Sequence, residues 1–168
     1  MSRWFRSYGF AQVHDNLVIG AMPLDDDDVQ VLSTMQIRHV LNLVEDEEYG
    51  PGRRLRVERA LAEAGIEEHR IRLTDFGALP LDAVEQAVVD TLGWLDAGER
   101  VYLHCRAGWQ RSAAVAAGVL ACALRLDIEE ALERVQDRKP SADPLPHQRD
   151  DLRRWWESRG EAASTARG

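Results

Sequence analysis

The sequence predicts a single-domain α/β fold, with a central, mostly parallel sheet of four to five strands flanked by helices on both faces. Short apolar segments alternate with longer segments whose apolar residues repeat at helical spacing. The 168 residues are enough for one domain with a sizeable core, and a hydrophobic content of 45% is ordinary for a globular protein. We expect the domain to span residues 1–159 and the small, polar residues 160–168 to form a disordered tail.

Four short apolar segments predict strands, and each is separated from the next by a segment of helical pattern. They cover residues 17–20, 37–44, 68–73 and 100–103. Strands joined through helices pair in parallel, so their carboxyl ends meet at one edge of the sheet. Open α/β sheets bind their ligands at that edge.

Helical spacing or composition predicts six helices, at residues 24–32, 53–64, 81–97, 112–124, 128–139 and 148–158. The first of these helices begins with four consecutive aspartates, Asp25 to Asp28. Such a run suggests either a metal site or a favourable helix start, and acids near a helix N-terminus stabilise it through the dipole. We favour the helix start. The aromatic residues before position 11 are expected to pack onto the domain.

Composition and charge exclude several classes of partner. The net charge of −8 disfavours nucleic acids and anionic membranes as main partners. No segment has the ~18 uninterrupted apolar residues of a membrane helix, and the first residues lack the apolar core of a secretion signal. Two cysteines without close spacing predict neither a disulfide framework nor a zinc site. We therefore expect a cytoplasmic protein, most simply a monomer.

Residues 104–112, His-Cys-Arg-Ala-Gly-Trp-Gln-Arg-Ser, lie between a predicted buried strand and a predicted buried helix. Backbone N–H groups at a helix N-terminus lack internal partners and suit an anion. Gly108 permits a close backbone approach, and Arg111 can hold two phosphate oxygens with its planar guanidinium group. Cys105 lies in the same positive field, which lowers a thiol pKa from about 8.5 to roughly 3.5–7.5. The segment is expected to bind phosphate beside a thiolate.

This pattern, Cys105 with Arg111 six positions later and Ser112 next to it, resembles the motif of the cysteine-dependent protein tyrosine phosphatases, in particular the small dual-specificity group. The resemblance extends over about residues 12–158. It implies that Cys105 attacks phosphorus and that Arg111 binds phosphate and stabilises the transition state. It also implies that Ser112 assists breakdown of a phosphocysteine intermediate.

The rest of the loop is assigned to phosphate binding and to loop support. The phosphate-binding residues are expected to be Arg106, Ala107, Gly108, Trp109, Gln110 and Arg111. His104 is expected to support the loop through a hydrogen bond. The loop departs from the family pattern at Gln110, where Ser or Gly is usual, and the neighbouring Trp109 is bulky. These departures leave the substrate open.

Cleavage of a phosphate ester also needs an acid to protonate the leaving oxygen. Asp75 follows a predicted strand and begins a Gly- and Pro-containing segment, and the family places its acid at a similar distance upstream of the cysteine. Asp82 is the alternative, although its position suits the first turn of a helix. We favour Asp75.

The expected function is phosphomonoester hydrolysis through a phosphocysteine, without metal or other cofactor. The substrate is expected to be a phosphorylated protein, with phosphotyrosine before phosphoserine or phosphothreonine, or else a small phosphomonoester. Phosphate-like oxyanions should inhibit the enzyme. The alternatives are a phosphatase of inositol phosphates or RNA 5′ ends, a rhodanese-like sulfurtransferase and an inactive phosphate-binding module.

Overall fold

The structure, a computed structural model, describes residues 1–165 and contains one five-stranded sheet within that range. The strands are β1 (Phe10–His14), β2 (Leu17–Gly20), β3 (His39–Asn42), β4 (Glu67–Arg70) and β5 (Val101–His104). The helices are α1 (Arg3–Tyr8), α2 (Asp26–Thr34), α3 (Arg53–Glu63), α4 (Leu81–Asp96), α5 (Arg111–Leu124), α6 (Ile128–Arg138) and α7 (Pro146–Thr165). A short 3-10 helix covers Asp46–Glu48.

The strand order across the sheet is β1-β2-β5-β3-β4. β2, β5, β3 and β4 are parallel, and only β1 runs antiparallel to its neighbour. The last residues of three parallel strands, Gly20, His104 and Asn42, lie side by side in the register. The predicted α/β fold is therefore confirmed, and the carboxyl edge of the sheet is centred on β5.

Helices cover both faces of the sheet because successive strand residues point to opposite sides. On one face, strand residues such as Ile19 and Leu103 pack in a core with α4, α5, α6 and α7. On the other, residues such as Val18 and Tyr102 pack with α1, α2 and α3. The central strands β2 and β5 are consequently buried on both sides, as in other parallel sheets, whereas the edge strand β4 (Glu-Glu-His-Arg) is polar and partly exposed.

The amino-terminal segment holds two elements that the sequence did not predict, α1 and β1. Helix α1 is only six residues long and is held in place by a tertiary contact. The fully buried Asp28 carboxylate accepts hydrogen bonds from the Ser2 backbone N–H at 2.6 Å and from the Ser2 hydroxyl at 2.7 Å. Asp25 caps α2 by accepting from the Asp28 N–H at 3.0 Å. Two of the four aspartates thus serve helix ends.

Helix α7 differs from its predicted bounds. It continues to Thr165, so residues 160–165, which were predicted to be disordered, are helical in the structure, whereas residues 166–168 lie outside the described range. Residues 161–164 (Glu-Ala-Ala-Ser) contain neither glycine nor proline that would end the helix. Among residues 1–165, no helix has the length and apolar composition that crossing a bilayer requires.

Candidate active site

The loop between β5 and α5 lies at the carboxyl edge of the sheet; its residues 105–111 are called the anion loop here. Gly108 adopts a positive φ of 76°, and a Cβ at this position would lie 2.6 Å from the backbone carbon of Gly20. Only glycine fits this approach of the loop to the end of β2. The sequence suggested that Gly108 permits a close approach to the anion; the structure shows the positive φ and a close approach to the backbone of Gly20.

Carbonyl groups of the anion loop are held by neighbouring backbone. The Arg106 carbonyl accepts from the Met22 N–H at 3.0 Å, and the Trp109 carbonyl accepts from the Asp143 N–H at 2.7 Å. The N–H groups of residues 106–109 have no acceptor among the residues that the structure describes. A loop with its carbonyl groups engaged and its N–H groups free is suited to an anion.

Cys105, the first residue of the anion loop, is buried, with 3% of its surface exposed, and its Sγ lies 3.3 Å from the Ser112 hydroxyl oxygen. Burial alone would raise the pKa of the thiol. The Arg111 charge, the Ser112 hydroxyl and the N–H groups of Ser112 and Gln110 outweigh burial and bring the pKa below its usual value. The site therefore favours a thiolate without a neighbouring base.

His104 is fully buried, and its Nδ1–H donates to the Cys105 carbonyl oxygen at 3.1 Å. Burial lowers the pKa of His104 to about 3, so the ring is neutral at physiological pH. A neutral ring bonded to the backbone of the loop can support it but does not exchange protons with substrate. This geometry matches the supporting role expected from the sequence.

Arg111 is almost completely buried and is held by an acid that the sequence analysis missed. Its Nη1 and Nη2 donate to the two carboxylate oxygens of Glu48 at 2.7 and 2.8 Å, and Nη1 also donates to the Leu73 carbonyl at 2.8 Å. The buried Arg111 Nε has no partner among the described residues. This arrangement fixes the guanidinium group and leaves one N–H for a ligand. Glu48 lies in a charged segment whose composition is typical of an exposed loop. Its contact with Arg111 is therefore visible only in the folded structure.

The structure brings Asp75, and not Asp82, to the anion loop. The Leu73 N–H donates to the Leu43 carbonyl at 3.1 Å, which extends the pairing past β4 and places Asp75 beside Arg111. Asp75 Oδ1 accepts from Arg111 Nη2 at 3.0 Å. Asp82 is exposed in the first turn of α4 and accepts from the N–H of the adjacent Ala83 at 2.9 Å.

A cavity of about 320 Å³ opens above the anion loop. Its walls are aromatic, and they come from α1, from the segment after Asp75 and from the loop itself. The lining residues are Trp4, Tyr8, Asp75, Phe76, Arg106, Ala107, Trp109, Gln110 and Arg111.

The two α1 residues of this cavity were not foreseen as part of the site. The Trp4 and Tyr8 ring centroids lie 4.2 Å apart, and the Tyr8 ring lies 5.2 Å from that of Trp109. The Arg106 guanidinium group lies 5.6 Å from the Trp4 ring, a cation–π contact. Arg106 therefore lies at the cavity wall with its charge available to a ligand.

Comparison with known proteins agrees with this geometry. Residues 23–158 match the family model described as dual specificity phosphatase, catalytic domain. The chain belongs to this family. It is therefore a phosphatase. Of the functions expected from the sequence, phosphate ester hydrolysis is thus favoured over sulfur transfer.

Two relatives and two solved structures are similar to this phosphatase. The human phosphatidylglycerophosphatase and protein-tyrosine phosphatase 1 is 26% identical over 145 residues, which cover 86% of this chain and 71% of the relative. Its mouse counterpart is 27% identical over 127 residues, which cover 75% of this chain and 65% of the relative.

The active form of Tk-PTP has a TM-score of 0.77 at 22% identity, covering 88% of this chain and 96% of that one. PTPMT1 in complex with PI(5)P has a TM-score of 0.78 at 23% identity, covering 92% and 98%. At these identities the solved structures establish the shared fold.

Proposed function

We propose that this phosphatase hydrolyses phosphomonoesters through a phosphocysteine on Cys105, with phosphotyrosine proteins as its first substrate class. The observation that carries the proposal is the buried Cys105 thiol, whose pKa is lowered, in a loop that also holds N–H groups and an Arg111 Nε without partners among the described residues. These groups can bind the equatorial oxygens of a phosphate while sulfur approaches phosphorus in line with the leaving oxygen.

In the first step, the Cys105 thiolate forms the S–P bond as the P–O bond to the alcohol or phenol breaks. Asp75 in its acid form donates a proton to the leaving oxygen. Asp75 accepts from Arg111 Nη2 before substrate binds, and an arriving phosphate oxygen competes for that donor. Phosphate binding thus frees the carboxyl group for the leaving oxygen.

In the second step, water attacks phosphorus and the S–P bond breaks, which releases inorganic phosphate. Asp75, now ionised, accepts the proton from this water. The Ser112 hydroxyl lies 3.3 Å from Sγ and donates to the sulfur as its negative charge returns. No metal takes part in either step.

The cavity walls support an aromatic leaving group. Trp4, Tyr8, Phe76 and Trp109 line the cavity above the anion loop, and an aromatic ring of a substrate could pack against them. A phosphoserine side chain is shorter and would make fewer contacts with these walls.

A lipid phosphomonoester is the second candidate substrate. It is favoured by the similarity to proteins named phosphatidylglycerophosphatase and to a structure solved with PI(5)P. Arg106 at the cavity wall could pair with a further anionic group of such a headgroup. A cytoplasmic location, a monomeric state and inhibition by phosphate-like oxyanions remain predictions.

The first test compares the parent chain with Cys105→Ser on an aryl phosphate. We expect hydrolysis to be abolished while vanadate or phosphate still binds, because the N–H groups and Arg111 remain. Hydrolysis by Cys105→Ser at the rate of the parent chain would contradict the mechanism.

The second test compares kcat/KM for a phosphotyrosine peptide, the matching phosphoserine peptide and PI(5)P in vesicles. We expect the phosphotyrosine peptide to be turned over fastest. A clear preference for PI(5)P would instead support the lipid candidate. Tight vanadate binding without turnover of any of them would indicate an inactive phosphate-binding module.

A further inference from the structure

A second group of chemically active side chains lies at the opposite edge of the sheet from the anion loop. His39 begins β3, and Glu67 begins β4 as its partner in the register. His69 follows Glu67 by two residues and therefore points to the same face of β4. His39, Glu67 and His69 are called the histidine cluster here. Nothing in the proposed phosphatase mechanism uses it.

The donor atoms of the histidine cluster converge. A Glu67 carboxylate oxygen lies 3.6 Å from His39 Nδ1 and 3.7 Å from His69 Nε2, and all three ligand atoms lie within 4.8 Å of one another. In tetrahedral coordination with metal–ligand bonds near 2.0–2.1 Å, donor atoms lie about 3.3 Å apart. Small side-chain movements would therefore bring the three donors onto one ion.

His39 Nε2 already has a carboxylate partner, as is common for the ring nitrogen of a metal-bound histidine that does not bind the ion. His39 Nε2 is hydrogen-bonded to the Glu99 carboxylate, which places the proton on Nε2. Nδ1 is then left with a lone pair that faces a carboxylate. A carboxylate behind the imidazole is a common outer partner of a metal-bound histidine, because it fixes the tautomer and raises the basicity of the ligand nitrogen.

Two buried nitrogens of the histidine cluster lack a hydrogen-bond partner among the described residues. They are His39 Nδ1, on a side chain with 9% of its surface exposed, and His69 Nε2. Trp94 of α4 stacks on His39 with ring centroids 4.7 Å apart and planes 7° apart, which holds the imidazole in this orientation. A buried polar atom without a partner is costly, so the geometry favours a ligand between the nitrogens and the carboxylate.

We propose that His39 Nδ1, His69 Nε2 and a Glu67 carboxylate oxygen bind one divalent transition-metal ion, for which Zn²⁺ is the natural probe. Two imidazoles and a carboxylate suit Zn²⁺, and water would take the fourth position. The Glu67 side chain is 70% exposed, so the ion can enter from solvent. The ion would tie the edge strand β4 to β3, and would act on stability rather than on phosphate chemistry.

The competing state is one in which the two imidazoles pair with Glu67 and Glu99 without any ion. Such a state also brings these side chains together, but it predicts no affinity for Zn²⁺. Measured binding at this site therefore separates the two.

The test is calorimetric titration of Zn²⁺ into the Cys105→Ser chain, which removes the thiolate as a competing ligand. We expect one ion per chain, binding at least tenfold weaker in Glu67→Gln and His69→Gln, and binding about 10–100-fold weaker in Glu99→Gln. His14→Gln, which changes a histidine on the opposite edge strand β1, is the matched control and should bind as the parent does. Absence of stoichiometric binding, or equal binding in His69→Gln and His14→Gln, would overturn the proposal.

Two further measurements check that the His69→Gln chain still folds and that the ion binds at the histidine cluster. With Cys105 present and a chelator in the buffer, His69→Gln should hydrolyse an aryl phosphate at the parent rate, since the histidine cluster lies at the far edge of the sheet. Zn²⁺ should raise the melting temperature of the Cys105→Ser chain, and His69→Gln should abolish that shift. A shift of equal size in His69→Gln would place the ion elsewhere and contradict the proposal.

Discussion

The floor and the rim of the active-site cavity are built in different ways. The floor is the anion loop, residues 105–111, which are contiguous in sequence and are fixed between β5 and α5. The rim consists of the exposed Trp109 side chain of that loop together with Trp4, Tyr8 and Phe76, which come from two distant segments. Asp75, which precedes Phe76, and Glu48, from a third segment, both accept hydrogen bonds from Arg111. The nucleophile and the phosphate-binding groups therefore lie in one local motif, whereas the acid, the partner of Arg111 and the cavity walls depend on tertiary packing.

The two parts also differ in exposure. Cys105 and Arg111 are buried, and the floor is tied down by backbone hydrogen bonds. In contrast, Phe76 is 63% exposed and Trp109, at the outer edge of the loop, is 41% exposed. Changes at the floor should therefore affect the rate for every substrate, whereas changes at the exposed rim should affect some substrates more than others.

The largest effect is expected for Asp75→Asn, which removes the acid but keeps the size of the side chain. kcat for a phosphate ester with a poor leaving group should fall by about 10²–10⁴-fold, because general acid catalysis contributes that much. Steady-state kinetics with leaving groups of different pKa measure the loss. Asp82→Asn is the matched control. An equal loss in both variants, or no loss in Asp75→Asn, would contradict the assignment.

Glu48→Ala tests whether Arg111 depends on its buried partner. Removing one member of a buried ion pair costs about 3–5 kcal/mol, since the remaining charge loses its partner. The free energy of unfolding should fall by about that amount, and added phosphate should recover part of it by binding the uncompensated Arg111. Denaturant unfolding with and without phosphate measures both. Glu47→Ala, at the exposed neighbouring position, should change little; equal unfolding curves for the two variants would refute the role of Glu48.

Trp109→Ala tests the rim. KM for a phosphotyrosine peptide should rise roughly fivefold, in line with about 1 kcal/mol for a lost aromatic contact. KM for a small alkyl phosphate should stay constant because it does not reach the rim. Leu55→Ala, a change at an exposed apolar residue of α3, is the control. Equal changes for both substrates would mean that Trp109 supports the floor instead.

The smallest effect is expected for Ser112→Ala on the ionisation of Cys105. The Ser112 hydroxyl is one of the groups that lower the pKa of this thiol, so its loss should raise the pKa. The pH profile of iodoacetamide alkylation should therefore shift to higher pH, with less thiolate present at neutral pH. Ser158→Ala on α7 should leave the profile in place. A shift to lower pH would show that the hydroxyl opposes the thiolate.

The difference between floor and rim also explains what the sequence could predict. The anion loop was predicted correctly in position because a strand, a short loop and a helix define it locally, and the order of strands and helices indicated the sheet. Helix α1 was missed because it has only six residues and its N-cap, Ser2, is held by Asp28, a contact that no local pattern shows. Glu48 was missed for the same reason, since its bond to Arg111 joins residues 63 positions apart.

The same limit applies to Asp75 and Asp82. The sequence favoured Asp75 and left Asp82 as the alternative, whereas the contact that brings Asp75 to Arg111 depends on the backbone pairing between Leu73 and Leu43. The histidine cluster was not predicted at all, because His39 and His69 become neighbours only through the register of β3 and β4. Contacts between residues on neighbouring strands of the sheet are therefore the part that sequence patterns do not predict.

The most direct test of the account is to trap the intermediate. The protein is mixed with an aryl phosphate, quenched rapidly in acid, digested and examined by mass spectrometry. We predict a phosphoryl group on Cys105, more abundant in Ser112→Ala, in which thiolate departure is slower, and absent in Cys105→Ser. Turnover of substrate with no phosphoryl group on Cys105 at any quench time, in the parent or in Ser112→Ala, would contradict the account.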